Sequence, residues 1–191
     1  MKMTNRAAHW GCLTLLCAAG TLACGSDDEQ SDGEMLASSN GQALTIYPDP
    51  YAPDMAGTPN PITSGASASA QAFDEGGKLR IELTVSGFPA SRPFGSHLHR
   101  LACDDVMKAG GHYQNMPVPM GTMANDPMFA NASNEAWLDF TTDSAGKGER
   151  ESIVDWIPRT GEARAIVFHN TTTGTGGAAG PKLACLPIDG L

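Results

Sequence analysis

The sequence predicts an all-β protein built as an antiparallel sandwich or barrel of eight short strands. Turn-forming residues are frequent, with 22 glycines and 13 prolines among 191 residues, and they divide the chain into short pieces. Between them, apolar and polar positions alternate with the period of two that is typical of strands. No convincing amphipathic helix pattern interrupts the series, so an all-β class is the expectation.

The predicted strands follow one another at regular intervals, each bounded by Gly, Pro, Asn or Asp. The segment LRIELTV, residues 79–85, alternates most clearly and predicts a strand with one buried face. The proline-rich stretch from Pro48 to Pro61 is predicted to be a loop, because proline cannot donate a ladder hydrogen bond. The eight strands are predicted at residues 43–47, 67–73, 79–85, 95–101, 136–142, 149–156, 163–169 and 182–188.

Residues 1–24 have the pattern of a secretory signal, with basic residues first, then an apolar run, then small residues. The apolar run is too short to span a membrane comfortably. The end of the segment, TLAC, resembles the lipobox of bacterial lipoproteins, with Thr21 where leucine is usual. This implies lipidation at Cys24 of an exported chain anchored to a bacterial membrane, in the periplasm or at the cell surface. An ordinary secretory signal, which leaves a soluble protein after cleavage, is the alternative.

Residues 25–40 are polar, acidic and free of aromatic side chains, which predicts a flexible tether. The folded domain is then expected to span residues 41–191. The formal net charge of the chain is −9, so a nucleic-acid partner held through its phosphates is not expected. Contact with a membrane is expected through the lipid anchor alone, and the sequence predicts no oligomeric state.

Four histidines remain once the signal is set aside, and each lies at a strand end or in a glycine-rich turn. Two of them, at i and i+2, project from the same face of a predicted strand. Imidazole is the usual protein ligand for copper and zinc, and the alternative is a polar sheet face that carries histidine without metal. The four are His97, His99, His112 and His169.

The cysteines remaining after the signal and Cys24 are an even pair, Cys103 and Cys185. A disulfide is the default interpretation of such a pair in an oxidising compartment.

Several segments occur in the order seen in copper/zinc superoxide dismutases, namely GFPASRPFGSHLHRLAC, AGGHYQN, TTDSAGKG, ARAIVFH and GPKLAC. The chain resembles that family from about Leu79 to its C-terminus. The resemblance implies an eight-stranded Greek-key barrel or sandwich, superoxide as substrate, and a disulfide between Cys103 and Cys185. It also implies that the copper ligands are His97, His99, His112 and His169.

The zinc site of that family is missing from the pattern. No histidine follows His112 in the loop that should supply zinc ligands, and Ala136 aligns with the zinc-binding aspartate, so zinc is not expected. A carboxylate is instead expected to hydrogen-bond the second nitrogen of His112. The sequence leaves three candidates open: Asp126, Glu135 and Asp139.

Two further departures concern the residues around the copper. Lys182 stands where the family has an arginine that attracts superoxide, and lysine keeps the charge but loses the planar fork of donors. Thr173 stands where an aspartate links the two metal sites. In a dismutase, His112 is expected to relay a proton and Lys182 to attract the anion.

Three functions follow from these observations. The first is a copper-dependent superoxide dismutase, the second a non-enzymatic copper-binding or copper-buffering lipoprotein, and the third a metal-free sandwich with a structural role. The complete set of copper ligands argues against the third. A group of methionines also has two interpretations, as soft ligands for Cu(I) or as gap-filling side chains over a sheet. They are Met116, Met120, Met123 and Met128.

Overall fold

The structure is a computed structural model that describes residues 33–39, 42–51 and 59–191. Its strands are β1 (Glu34–Ser38), β2 (Thr45–Tyr51), β3 (Ser67–Asp74), β4 (Leu79–Ser86), β5 (Pro93–His99), β6 (Phe140–Thr141), β7 (Gly148–Val154), β8 (Ala165–His169) and β9 (Lys182–Pro187). A 3-10 turn at Thr175–Gly177 is the helical element of these ranges. None of their helical structure is long and apolar enough to cross a membrane. The predicted signal and the lipidation site at Cys24 lie outside the described residues.

The strands form two antiparallel sheets, which confirms the predicted all-β class. One sheet has the order β1-β3-β4-β7 and the other has the order β2-β9-β8-β5-β6. Within the described ranges, ladder hydrogen bonds do not join the two sheets into a closed barrel. The sandwich form of the predicted fold therefore applies.

β1 lies inside the segment that the sequence assigns to a flexible tether, which corrects the predicted boundary at residue 41. It pairs antiparallel with β3, with Met35 opposite Phe73. Ala37 is buried and Leu36 packs against the core. The three apolar residues Met35, Leu36 and Ala37 are too few to predict a strand from composition. They form one because the edge of β3 supplies the partners for their backbone hydrogen bonds.

β2 continues through Pro48 and Pro50, where the sequence predicts a loop. The strand is at the edge of its sheet, where a proline without an N–H does not interrupt a second ladder. Its pairing with β9 is irregular between Ile46 and Tyr51. β2 is thus longer than predicted. The strand predicted at residues 136–142 is shorter than predicted, since only Phe140–Thr141 form β6.

The core lies between the two sheets. The alternation seen in the sequence of β4 holds, because Leu79, Ile81, Leu83 and Val85 are all buried. Four phenylalanines pack with their ring edges or faces together, at centroid separations of 5.2 to 6.0 Å. They are Phe88, Phe94, Phe140 and Phe168.

The face of the five-stranded sheet that points away from this core positions the candidate site. β5 pairs with β8 so that His97 is opposite Val167 and Gly95 is opposite His169. Because side chains alternate between the faces of a strand, Leu98 enters the core while His97 and His99 point to the other face. Loops that follow β5 and β8 cover this histidine-bearing face.

The disulfide between Cys103 and Cys185 is confirmed, with a Cα–Cα distance of 5.6 Å. It ties the loop after β5 to β9 on the histidine-bearing face. The buried Tyr47 hydroxyl donates a hydrogen bond to the Cys103 carbonyl at 3.2 Å. Burial, together with the nearby charge of Asp104, raises the pKa of Tyr47 to about 12. The loop is thus fastened to the sheet at two neighbouring points.

Replacing both cysteines by alanine is expected to lower the free energy of unfolding by about 4 kcal/mol, because the bridge restricts an unfolded chain over a long loop. The two cysteines are 82 residues apart. Urea unfolding of the metal-free protein, followed by tryptophan fluorescence, measures the difference. The same loss should appear when the native protein is reduced, and equal midpoints with and without reductant would contradict the expectation.

Candidate metal centre

Four histidines converge on the outer face of the five-stranded sheet. Each offers one ring nitrogen, and these four atoms lie within 4.8 Å of one another. His97 and His99 come from β5 and His169 ends β8, whereas His112 is brought in by a bridge between its backbone and that of His99. Three of the rings are buried, and the side chain of His112 is 18 % exposed. Side chains of this type and spacing can hold a metal ion.

The tautomers of His99 and His169 follow from their hydrogen bonds. His99 Nδ1 donates to the Gly110 carbonyl at 3.0 Å, and His169 Nδ1 donates to the Gly180 carbonyl at 3.0 Å. Because a carbonyl oxygen only accepts, each Nδ1 carries the hydrogen and each Nε2 keeps its lone pair. The two Nε2 atoms lie 3.3 Å apart, an arrangement of two acceptors that a cation would stabilise.

His97 has the opposite arrangement. The Thr173 hydroxyl donates to Asp139 Oδ1 at 2.6 Å, so it accepts a hydrogen bond from His97 Nε2, also at 2.6 Å. His97 Nδ1 therefore carries the lone pair, and this buried nitrogen has no hydrogen-bond partner in the described part of the chain. An unsatisfied buried acceptor is costly, and a bound cation would satisfy it. This atom supports a metal at the cluster.

Glu135 is the carboxylate that holds His112, which selects one of the three candidates left open by the sequence. Its side chain is buried and accepts from His112 Nδ1 at 2.9 Å, from Trp137 Nε1 at 2.8 Å and from Gln114 Nε2 at 2.8 Å. Asp139 does not contact His112 in this way: it accepts a hydrogen bond from the Thr173 hydroxyl, which accepts one from His97 Nε2. With its Nδ1 engaged by Glu135, His112 directs its Nε2 lone pair toward the cluster.

Asp126, the third candidate, lies in a turn of the methionine-bearing loop. Its side chain accepts a hydrogen bond from the backbone N–H of Met128 at 2.9 Å.

Gly177, in the loop after β8, lies against His112 and Glu135. Its φ is +69°, a left-handed value that favours glycine. A Cβ at this position would lie 3.1 Å from Glu135 Oε2 and 3.2 Å from His112 Nδ1. A side chain at this position of the loop after β8 would therefore crowd the hydrogen bond between His112 and Glu135.

Burial controls the charge of the histidines. It lowers the pKa of His97 and of His99 well below the usual value, with the neighbouring His112 and His169 adding repulsion. It also lowers the pKa of His169 to about 3. These rings are neutral near pH 7, which is the form that binds metal ions.

Lys182, the residue predicted to attract an anion, is half-buried beside the cluster. Its ammonium donates to the Gly110 carbonyl at 2.5 Å, to the Lys108 carbonyl at 2.7 Å and to the Met107 carbonyl at 3.4 Å. Burial lowers the pKa of Lys182 to about 8. The Gly110 carbonyl is also the acceptor for His99, so the lysine is linked to a candidate ligand through one shared oxygen.

A cavity of about 450 Å³ lies on the His112 side of the cluster. His112, Glu135 and Gln114 form part of its wall, and Arg100 and Arg159 also line it. Arg159 is held by the backbone carbonyls of Asn115 and Gln114.

Comparisons with known proteins give a likeness in fold. No known protein-family model matches the chain, and no curated protein matches it. The clock protein EA4 is 18% identical, with a TM-score of 0.48 over 71% of this chain and 98% of that one. A double mutant of a SOD-like protein from Bacillus subtilis is 20% identical, with a TM-score of 0.48 over 64% of this chain and 89% of that one. At these values neither likeness carries an inference about activity or metal, and membership of the copper/zinc superoxide dismutase family stays a prediction.

Replacing Glu135 by glutamine is expected to weaken copper binding by roughly 10- to 100-fold, the usual effect of losing a partner that orients a ligand histidine. Glutamine preserves the size of the side chain but removes the charge that favours hydrogen on His112 Nδ1. Competition with a copper chelator measures the affinity. Glu162→Gln is the matched control, because Glu162 lines the same cavity but pairs with Arg159. Equal affinities for the two variants would contradict the assigned role.

The metal-free protein is expected to lose stability as pH falls below 6.5. The pKa of His169 is about 3 in the folded protein against 6.5 for an ordinary histidine, so protons bind preferentially to the unfolded chain between these values. At pH 5 the loss from His169 alone is about 2 kcal/mol. Urea unfolding at pH 7.5 and pH 5 measures it, and the loss should be smaller in His169→Gln. An identical pH dependence in the variant would exclude His169 as the cause.

Proposed function

We propose that this protein is a copper-dependent superoxide dismutase, exported and anchored to a bacterial membrane through a lipid on Cys24. The observation that carries the proposal is the cluster of four histidines, each with one nitrogen fixed by a hydrogen bond and the other left for a metal. The unsatisfied Nδ1 of His97 lies in this cluster. The disulfide between Cys103 and Cys185 supports an oxidising compartment.

Copper, when bound, supplies the one-electron cycling between Cu(II) and Cu(I) by which two superoxide anions and two protons become dioxygen and hydrogen peroxide. The residues that would hold it are His97, His99, His112 and His169. Their outer hydrogen bonds fix the ring orientations in advance, so little reorganisation accompanies metal binding.

His112 is the candidate for the proton relay. It is the one ring of the four that is partly exposed, so solvent protons reach it more readily than the buried rings. Glu135 keeps hydrogen on Nδ1, and the proton that moves during turnover would therefore be exchanged at Nε2. Because the two ring nitrogens have separate roles, a proton relay at Nε2 would leave the hydrogen bond from Nδ1 to Glu135 intact.

The hydrogen bond between His112 Nδ1 and Glu135 also argues against a second metal ion beside the copper. In a site that bridges two ions, a histidine uses both ring nitrogens as ligands. Here the Nδ1 of His112 donates to Glu135, which also accepts hydrogen bonds from Gln114 and Trp137. We therefore propose a centre that uses copper alone, with Glu135 taking the place of a zinc ion as the partner of His112.

A non-enzymatic copper-binding function is the second candidate, and the contacts of Lys182 favour it. Its ammonium already donates to three backbone carbonyls, which reduces what it can offer to an incoming anion. The overall charge of the chain is negative, and it opposes attraction of superoxide unless local positive charge prevails.

One experiment distinguishes the candidates. The full chain, with its disulfide formed, is loaded with copper, and both metal content and superoxide consumption are measured. A dismutase binds one copper and turns over fast, and His99→Ala loses both properties. In Lys182→Gln the copper content should persist while the rate falls several-fold and loses part of its salt dependence. Lys78→Gln is the control, because Lys78 pairs with Asp155 at the surface.

Copper bound without turnover would overturn the dismutase in favour of the copper-binding protein. A chain that binds no copper would overturn both and leave a structural sandwich.

A further inference from the structure

The loop between β5 and β6 carries a group of methionines at residues 116–128, termed here the methionine segment. The exposed fractions of its methionines are 54 % for Met116, 104 % for Met120, 71 % for Met123 and 72 % for Met128. Side chains this exposed do not fill gaps over a sheet, so the packing interpretation of these residues is wrong. Four large apolar side chains exposed within one short segment indicate a binding surface.

The backbone of the methionine segment is held in place by hydrogen bonds. Asn134 accepts from the N–H of Met116 at 2.6 Å and donates to its carbonyl at 3.0 Å. Successive turns follow, with the N–H of Thr122 donating to the Pro119 carbonyl at 3.0 Å and the N–H of Asp126 donating to the Met123 carbonyl at 3.0 Å. Fixing the backbone in advance reduces the entropy that a ligand must overcome to gather the side chains.

The methionine segment also forms part of the cavity at the metal centre. Pro117, Val118, Ala124 and Asn125 line the same 450 Å³ cavity as His112 and Glu135. Gln114, which donates to Glu135, also donates to the Ala124 carbonyl at 3.0 Å. Along the chain, the methionines are therefore interspersed with residues that line the cavity beside His112.

The chemistry of these side chains selects one ligand. A thioether is neutral, soft and polarisable, and it binds Cu(I) in preference to harder ions such as Ca²⁺ or Mg²⁺. It does not titrate, so unlike imidazole it retains its ligand capacity in acid. The four thioethers belong to one segment of the chain, residues 116–128, in which Met120 and Met123 lie within the hydrogen-bonded turns at residues 119–122 and 123–126.

We propose that Met116, Met120, Met123 and Met128 form a second copper site, specific for Cu(I), that takes up the ion and passes it to the histidine centre. The ion remains Cu(I) throughout, so the transfer requires no oxidant or reductant. The transfer step rests on the proposed copper function of the histidines, whereas the thioether site itself does not.

Stoichiometry of Cu(I) binding tests the proposal. The full chain is titrated anaerobically with Cu(I) against bicinchoninate, and it should bind two equivalents. The variant Met116→Leu/Met120→Leu/Met123→Leu/Met128→Leu should bind one, and Met35→Leu should still bind two. Met35 is the matched control because it is 53 % exposed but lies in β1. Leucine preserves an apolar side chain at exposed positions, and urea unfolding verifies that the fold is retained.

A site-resolved measurement supports the titration. Methionine methyl groups labelled with ¹³C are observed by NMR while Cu(I) is added to His99→Ala, in which the histidine centre is disabled. The four methyl resonances of the methionine segment should shift, and those of the exposed Met35 and Met107 should not. Retention of two equivalents by the quadruple variant, or unshifted segment methyls, would overturn the proposal.

The two proposals fail in different ways. If the histidine centre binds no copper, the segment methyls still shift with Cu(I) while superoxide consumption is absent. If the methionine segment binds no Cu(I), the histidine centre still takes one equivalent and the quadruple variant behaves as the native protein.

Discussion

The pairing of β5 with β8 determines where three of the four candidate ligands lie, and a backbone bridge to His99 at the end of β5 positions the fourth, His112. Leu98 of β5 and Ile166 and Phe168 of β8 are fully buried between the sheets. A shift of one residue would move these side chains to the outer face and would bury histidines in the core, at a large cost in free energy. The hydrophobic core therefore fixes the register, and the register places His97 and His99 on one face beside His169.

In each of the four rings, the nitrogen that is not offered to a metal donates a hydrogen bond to an acceptor outside β5 and β8. Two of the acceptors are backbone carbonyls, one is the hydroxyl of Thr173 and one is the carboxylate of Glu135. Gly95 allows the loop after β8 to come this close, because a Cβ there would lie 2.4 Å from the Thr171 carbonyl oxygen. The resulting set of lone pairs is oriented before any ion arrives.

The disulfide belongs to the same arrangement. It fastens the loop whose Gly110 carbonyl accepts from both His99 and Lys182. Loss of the bridge would leave the loop, and with it the acceptor that sets the tautomer of His99, held by hydrogen bonds such as that of Tyr47. Stability of the loop and geometry of the centre are thus coupled through one oxygen atom, the Gly110 carbonyl.

Much of the fold and the site is predictable from the sequence, because both depend on local patterns. Alternation along β4 and the spacing of His97 and His99 follow from strand geometry alone. The disulfide is predicted because Cys103 and Cys185 are the cysteines left after the signal and Cys24, and because the resemblance implies the same pairing. What escapes prediction depends on long-range contacts, such as the pairing of β1 with the edge of β3.

The choice of Glu135 over Asp126 and Asp139 has the same origin. All three carboxylates are close to His112 in sequence, but only the fold decides which one faces it. Glu135 lies beside Trp137 and Gln114, whose donors hold it against His112. The exposure of the methionines is also a property of the folded loop, since the sequence allows them to pack over the sheet or to face solvent.

The two proposed copper sites differ in the oxidation state that they favour. At the histidine centre, the carboxylates of Glu135 and Asp139 place negative charge behind two neutral rings, Asp139 acting through Thr173. Negative charge at that distance stabilises the ion of higher charge, so these carboxylates favour Cu(II) over Cu(I). The neutral thioethers of the methionine segment have the opposite preference. Copper that arrives as Cu(I) would therefore be favoured at the methionines, whereas the histidine centre would favour the ion in its Cu(II) form.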